Sequence, residues 1–240
     1  LGAMGFHAYL QRNNVPFESP MAIGANKMMF EHIKKEAKNA SNQLCVERGP
    51  CFDGYHAGVR NAHLLAVAPN ASSSIICGNT SPSIEPYRAN AFTQKTKSGS
   101  SLLKNEYLEH ALQELDQDTD EVWKSIITNN GSVQHLDFLD DWTKDVFKTA
   151  VEIDQRYIIE MAADRQKEIC QSQSLNVFFP ANVSKQELHA IHMMAWKKKV
   201  KTLYYLRSEA IKRAETVSDE ALRQYIFESM DEEGCLACEG

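Results

Sequence analysis

Between Leu175 and Leu206 the sequence spells out strand, helix and strand in close succession, and that order limits the chain to one class of fold. Leu175 to Phe179 is a short apolar run of strand formers. Ser184 and Glu187 have the spacing of a capping box, so a helix starts there, and its pattern carries to about Lys199. Thr202 to Leu206 is strand-like again. Two strands joined through such a helix run parallel, with a right-handed crossover. The fold class is therefore α/β.

Upstream, a helix begins at Ser19-Pro20. Met29, Ile33, Ala37, Ala40 and Leu44 recur at helical steps along one face of it until Gly49-Pro50 stops it. Leu64 to Ala68 reads as a buried strand that ends at Pro69. The stretch from Thr80 to Ser101, rich in Ser, Pro, Asn and Thr, reads as an ordered surface connection. Helices are expected over 104–115 and 141–164, the second with Val146, Ala150, Ile153, Tyr157 and Met161 on one face. Beyond Ala214 the chain turns polar, with one weak helix near 219–229. The chain thus divides into a body, 1–214, and a mobile tail, 215–240.

Three motifs carry candidate chemistry. Pro69, Asn70, Ala71, Ser72, Ser73 and Ser74 stand where the strand gives way to a helix beginning near Ser73. Free amides at a helix start, with small hydroxyl side chains beside them, suit a phosphate, although the same residues serve as an ordinary helix cap. Tyr204 and Tyr205 fall in the last strand, where alternation would send one ring to each face. Cys235 and Cys238 form a Cys-x-x-Cys pair close to the end, in an acidic, Gly-flanked segment. Neither a thioredoxin-like context nor further zinc ligands surround that pair, which leaves a mobile dithiol that carries electrons or an incidental spacing. Cys45, Cys51, Cys77 and Cys170 read as buried small hydrophobes. Among the histidines only His189 and His192 stand a helical turn apart, so no metal site is expected.

Thirty-two acidic against 26 basic residues give a net charge of -6, which offers DNA, RNA or an anionic membrane no general attraction. No apolar run approaches the roughly 20 residues of a membrane helix, and no leader pattern opens the chain, so it reads as soluble and cytoplasmic. Leu1-Gly2-Ala3-Met4-Gly5-Phe6 reads as the interior of a domain rather than its start, which makes the chain a fragment or one piece of a split protein.

The run Ala66-Val67-Ala68-Pro69-Asn70-Ala71-Ser72-Ser73-Ser74-Ile75 is followed by Ile84-Glu85-Pro86 and Gln171-Ser172-Gln173-Ser174-Leu175-Asn176. After these come Lys201-Thr202-Leu203-Tyr204-Tyr205 and the terminal cysteine pair. In that order, and with the opening Leu-Gly-Ala-Met-Gly-Phe-His and Pro16-Phe17-Glu18-Ser19, they resemble the C-terminal part of the large, catalytic subunit of class I ribonucleotide reductase, of a bacterial or phage type. The resemblance implies late parts of a ten-stranded α/β barrel made of two half-barrels. It implies an enzyme that replaces the ribose 2'-hydroxyl with hydrogen, using a thiyl radical and a dithiol. The loop Pro69, Asn70, Ala71, Ser72 and Ser73 would hold the diphosphate of a ribonucleoside diphosphate. Tyr204 and Tyr205 would relay a radical from a metal-containing small subunit, the chain itself holding no cofactor. Cys235 and Cys238 would re-reduce the active site and be reduced in turn by thioredoxin or glutaredoxin.

The radical cysteine of that family has no counterpart here, since none of Cys45, Cys51, Cys77 or Cys170 stands in its pattern. The resemblance therefore implies that catalysis needs an N-terminal part of the large subunit. Two other readings compete: a phosphate-binding α/β module with an incidental tail, and a fragment of a cobalamin-dependent reductase. Tyr204-Tyr205 argues against both, because neither needs a relay of phenols.

Overall fold

A computed structural model describes residues 1–52, 58–96 and 99–208. In chain order it has helices α1 (Phe6–Arg12), α2 (Pro20–Arg48) and α3 (Ala71–Ile76), then strands β1 (Ala91–Thr96) and β2 (Gly99–Lys104). Helices α4 (Glu106–Glu114), α5 (Asp120–Thr128), α6 (Asp141–Val146) and α7 (Gln155–Arg165) follow, and then β3 (Val177–Phe179), α8 (Lys185–Lys197) and β4 (Leu206–Ser208).

The crossover expected from the sequence is present. Strands β3 and β4 pair in parallel, with Val177 opposite Leu206, and α8 connects them. Ser184 Oγ accepts the Glu187 amide at 3.0 Å, which satisfies one of the free donors at the helix start. Just upstream, the segment 64–68 lies parallel to 171–175 but forms a single bridge, Val67 to Gln173, rather than the regular strand expected. Its register is nevertheless fixed, because Val67 N donates to Ser172 O (3.1 Å) and Ser174 N donates to Val67 O (2.8 Å).

Ser19 starts α2 by accepting the Ala22 amide on its Oγ (3.1 Å), with Pro20 in the first helical position, where its missing N–H costs nothing. The buried face runs through Ala22, Asn26, Phe30, Ala37 and Ser41. Of the face read from periodicity, Ala37 is buried. Met29 and Ile33 flank the core half-buried, while Ala40 is exposed. Part of that face is polar, since Asn26 is buried and its Nδ2 donates to Met161 O of α7 (3.0 Å).

Two further expectations are corrected. The single helix over 141–164 is two helices, each with its own aspartate cap: Asp140 accepts the Thr143 amide (2.7 Å) and Asp154 the Arg156 amide (2.9 Å). Between them Glu152 takes the Thr149 amide, and Gln155 donates back to the carbonyls of Ala150 (3.0 Å) and Ile153 (2.6 Å). The break lets Val146 and Phe147 pack in one cluster with Trp123, Leu108 and Ile126, while Ile153, Ile158 and Ile159 pack in another with Phe30, Val177 and Phe179. A straight helix could not serve both cores.

The stretch 80–101 is likewise no surface connection. Ser81, Ser83, Ile84, Glu85, Tyr87 and Asn90 are all buried, and β1 then forms an antiparallel pair with β2. Several of its polar residues mislead because they find partners inside, although the Ser83 hydroxyl is buried without one. Ser81 Oγ accepts the Ala8 amide (3.0 Å), and Asn90 Nδ2 donates to the carbonyls of both Gly131 (2.9 Å) and Phe147 (2.8 Å). Asn105 then donates to Asn90 Oδ1 (3.0 Å) and to Gln11 Oε1 (2.8 Å), tying α1 to the second cluster. Helix α5, which Thr119 caps, is not among the helices read from the sequence.

Gly131 shows how tightly that junction is packed. Its φ is +79°, and a Cβ there would stand 2.3 Å from Ala89 Cβ and 2.6 Å from Ala89 Cα. Gly131→Ala should therefore cost about 2–4 kcal/mol, from backbone strain and overpacking together. Gly24, inside α2 with open space around its Cβ position, should respond oppositely. Gly24→Ala should gain roughly 0.5–1 kcal/mol. Equilibrium urea unfolding of both variants checks the pair, and a neutral Gly131→Ala contradicts the packing described.

Candidate substrate loop and tyrosine pair

The segment Gln171–Asn176 has chain attached along both sides. On one side it receives the strand that leads into the serine loop, and on the other the chain that carries the tyrosines. Gln171 N donates to Leu65 O (3.1 Å), Tyr204 N donates to Leu175 O (2.8 Å) and Val177 N donates to Tyr205 O (3.0 Å). The loop and the tyrosine pair are thus anchored to one short stretch of backbone.

Pro69 leads into α3, whose cap, Asn70, has left-handed geometry (φ 52°, ψ 27°), a region asparagine tolerates better than most residues. The helix starts at Ala71, earlier than the Ser73 expected. Ser74 N donates to Asn70 O (3.0 Å), so the amides of Ala71, Ser72 and Ser73 precede the first internal bond of the helix. Ala71, Ser72 and Ser73 are exposed, whereas Ser74 is buried and its Oγ donates to Ala71 O (2.8 Å). Three amides with no partner inside the helix thus lie beside two exposed hydroxyls, all of them hydrogen-bond donors of the kind that suits an anion.

Tyr204 and Tyr205 do not alternate as a regular strand would have them. Their ring centroids are 4.2 Å apart with the planes inclined by 55°. The cause is one extra residue in the ladder. With Val177 opposite Leu206, the regular donor to Leu175 O is the Tyr205 amide, yet Tyr204 takes that carbonyl. Tyr205 N donates instead to Asn176 Oδ1 (3.0 Å). This is the geometry of a β-bulge, which breaks alternation and turns adjacent side chains toward one side. Tyr204 is 55% exposed, and the Arg207 guanidinium lies 5.0 Å from the centre of the Tyr205 ring.

Beneath the pair is a buried carboxyl group to which the sequence reading assigned no role. Glu85 Oε1 accepts from Asn176 Nδ2 (2.8 Å). Burial pushes its carboxyl up to about 7, against the opposing pull of the Asn176 hydrogen bond and the positive charges of Arg207, Arg88 and Arg165. Arg165 is itself fully enclosed. It donates to Gln173 Oε1 (2.6 Å) and Asn26 Oδ1 (3.1 Å), and burial lowers its guanidinium to about 9 although Asp164 and Glu85 favour the charge.

The cysteines were expected inside, and the four described ones are not: Cys45 and Cys51 are half-buried, and Cys77 and Cys170 are exposed. Cys170 Sγ accepts the amides of Leu64 (3.1 Å) and Leu65 (3.2 Å). Burial would raise this thiol, but the main-chain hydrogen bonds outweigh it and hold it below the usual thiol range. Cys235, Cys238, the helix expected near 219–229 and the boundary at 214 lie outside the described residues. Among the described residues no group of three or more His, Cys, Asp or Glu is placed to hold a metal ion, and no helix is long and apolar enough to cross a membrane.

The described residues form a mixed helix and strand fragment with one parallel β-α-β crossover, consistent with part of an α/β barrel. A family model described as ribonucleotide reductase, barrel domain, matches residues 1–57 and 53–206, and the chain belongs to that family. It is 48% identical to the ribonucleoside-diphosphate reductase large subunit of Invertebrate iridescent virus 6, over 91% of this chain and 23% of that protein. The large subunit of Invertebrate iridescent virus 3 is 43% identical over 100% of the chain and 38% of its own length. Among solved structures, the class Id ribonucleotide reductase alpha subunit of Actinobacillus ureae superposes with a TM-score of 0.81 at 39% identity. That match covers 88% of this chain and 38% of the other. The chain thus spans well under half the length of these relatives.

Glu85 supplies a test of the buried cluster. Its folded pKa lies above the unfolded value, so the folded state holds the proton more tightly. The stability this gives is complete below about 4.5 and is lost as pH rises through about 7. Glu85→Gln cannot titrate. The difference in unfolding free energy between Glu85→Gln and the unaltered chain should therefore grow in favour of the variant by about 2–3 kcal/mol over this window. A difference that is flat with pH contradicts the burial of this carboxyl.

Proposed function

We propose that the chain is the C-terminal part of the large subunit of a class I ribonucleoside-diphosphate reductase, which replaces the ribose 2'-hydroxyl of ribonucleoside diphosphates with hydrogen. The observation that carries this is the pair of phenol rings in contact. A packing role needs no extra residue in the ladder, whereas a radical relay needs two oxidisable rings close together. The cobalamin-dependent alternative has no use for such a pair, and a simple phosphate-binding module has none either.

In this reading the amides of Ala71, Ser72 and Ser73 and the hydroxyls of Ser72 and Ser73 take the substrate diphosphate, with Pro69 and Asn70 setting the turn. Tyr204 and Tyr205 pass the radical between a metal-containing small subunit and a cysteine in the N-terminal part of the large subunit. Cys235 and Cys238, on a tail over 215–240, carry reducing equivalents from thioredoxin or glutaredoxin. The assembly works in the cytoplasm.

Tyr to Phe keeps the ring and removes the oxidisable hydroxyl. In the complete reductase, Tyr204→Phe and Tyr205→Phe should each fold and bind nucleotide yet form almost no deoxynucleotide. If the rings only pack, a lost hydroxyl costs about 0.5–1.5 kcal/mol of stability and turnover survives, which would defeat the relay. The loop is tested separately: replacing Ser72 and Ser73 by Ala should weaken diphosphate binding by about 1–3 kcal/mol in isothermal titration.

A further inference from the structure

The Tyr205 amide is denied its ladder carbonyl and is caught by a side chain. Asn176 Oδ1 accepts it at 3.0 Å, while the other end of the same amide group donates to Glu85 Oε1 at 2.8 Å. Both Asn176 and Glu85 are buried, at 2% and 7% exposure, so neither hydrogen bond is exchanged freely with water. Asn176 has one acceptor and one donor end. Its two partners fix which way round it sits: the Tyr205 amide only donates and so faces the oxygen, and ionised Glu85 only accepts and so faces the amide nitrogen.

We infer that Glu85 and Asn176 are positioning residues for the tyrosine pair: the Glu85 carboxyl orients the Asn176 amide, which holds the Tyr205 main chain in the bulge that brings the two rings together. This rests on the relay reading of Tyr204 and Tyr205 and adds to it the parts that set its geometry. Were the Tyr205 amide returned to Leu175 O, alternation would resume and the rings would part. The cations facing Glu85 come from three elements. They are Arg88 on its own segment, Arg165 at the end of α7 and Arg207 of β4, and Arg207 also stands over the Tyr205 ring.

The bridge can be broken and rebuilt with reversed polarity. Asn176→Asp sets a second carboxyl against Glu85: the two share a proton while one is bound, and become opposed acceptors once it is lost. Adding Glu85→Gln turns the partner into a donor, so the aspartate can again accept from both Gln and the Tyr205 amide, and the summed charge is restored. In the complete reductase, kcat of Asn176→Asp relative to the unaltered enzyme should fall roughly 100-fold as pH rises through the loss of that shared proton, the scale of a misplaced reacting group, with KM for a ribonucleoside diphosphate unchanged. Glu85→Gln, which can present either a donor or an acceptor to Asn176, should lower kcat by less than Asn176→Asp does at high pH, whereas the double variant should recover most of the lost kcat. Thermal midpoints measured in parallel separate misfolding from mispositioning. If the double variant recovers its midpoint but not its kcat, or the relative kcat of Asn176→Asp does not fall as pH rises, the positioning role is overturned while an inactive Tyr205→Phe leaves the relay standing. Active Tyr204→Phe and Tyr205→Phe variants overturn the relay, and this inference with it.

Discussion

The backbone of Gln171–Asn176 has to be hydrogen-bonded along both edges, and the arrangement of both candidate sites follows from how this is done. On one edge Leu65 and Val67 supply carbonyls and Val67 supplies a donor; on the other, Tyr204 donates to Leu175 and the Tyr205 carbonyl takes the amide of Val177, the next residue along. An unpaired buried amide or carbonyl costs on the order of 1–3 kcal/mol, so neither edge can be left open. The side chains of the segment complete the account. Gln173 accepts from Arg165 and donates to Ala162 O, Ser172 meets Thr202, and Asn176 bridges Glu85 to Tyr205. A polar sequence in the middle of an α/β body is thereby made compatible with burial.

Electrostatics bind the same region together. Arg165 is enclosed and hydrogen-bonded to neutral side chains, so its charge is balanced through space by Asp164 and Glu85. Glu85 in turn lies among Arg165, Arg88 and Arg207. Its carboxyl sits close to neutral pH because desolvation and these cations oppose each other. The phenol ring of Tyr205 is stacked under one of those cations, so the charge on Glu85 bears on how readily the ring gives up an electron.

Periodicity and capping revealed the crossover, the start of α2 at Ser19 and the helix at 106–114, because those elements follow local rules. The break between α6 and α7 was hidden, since Val146, Ala150 and Ile153 are all buried and continue the helical spacing although they serve two different cores. The buried course of Ser81 to Asn90 was hidden for the converse reason: its serines and asparagines look like surface residues until their distant partners are known. Tyr204 and Tyr205 were legible as a pair. Their contact was not, because the bulge depends on Asn176, far away in sequence, intercepting one amide. Glu85 was noticed only as part of a motif, and nothing local marks it as buried.

The central claim is that these two rings pass a radical between them. Its most direct test is electron paramagnetic resonance of the complete reductase with a more easily oxidised analogue, 3-aminotyrosine, at position 204 or 205 and Phe at the other. In a two-ring relay one arrangement should accumulate the trapped radical on adding small subunit and substrate, and the reverse arrangement should not, because its entry ring has lost the hydroxyl. The silent arrangement also gives the direction of transfer. Equal radical yield in both arrangements, or none in either, would contradict the account.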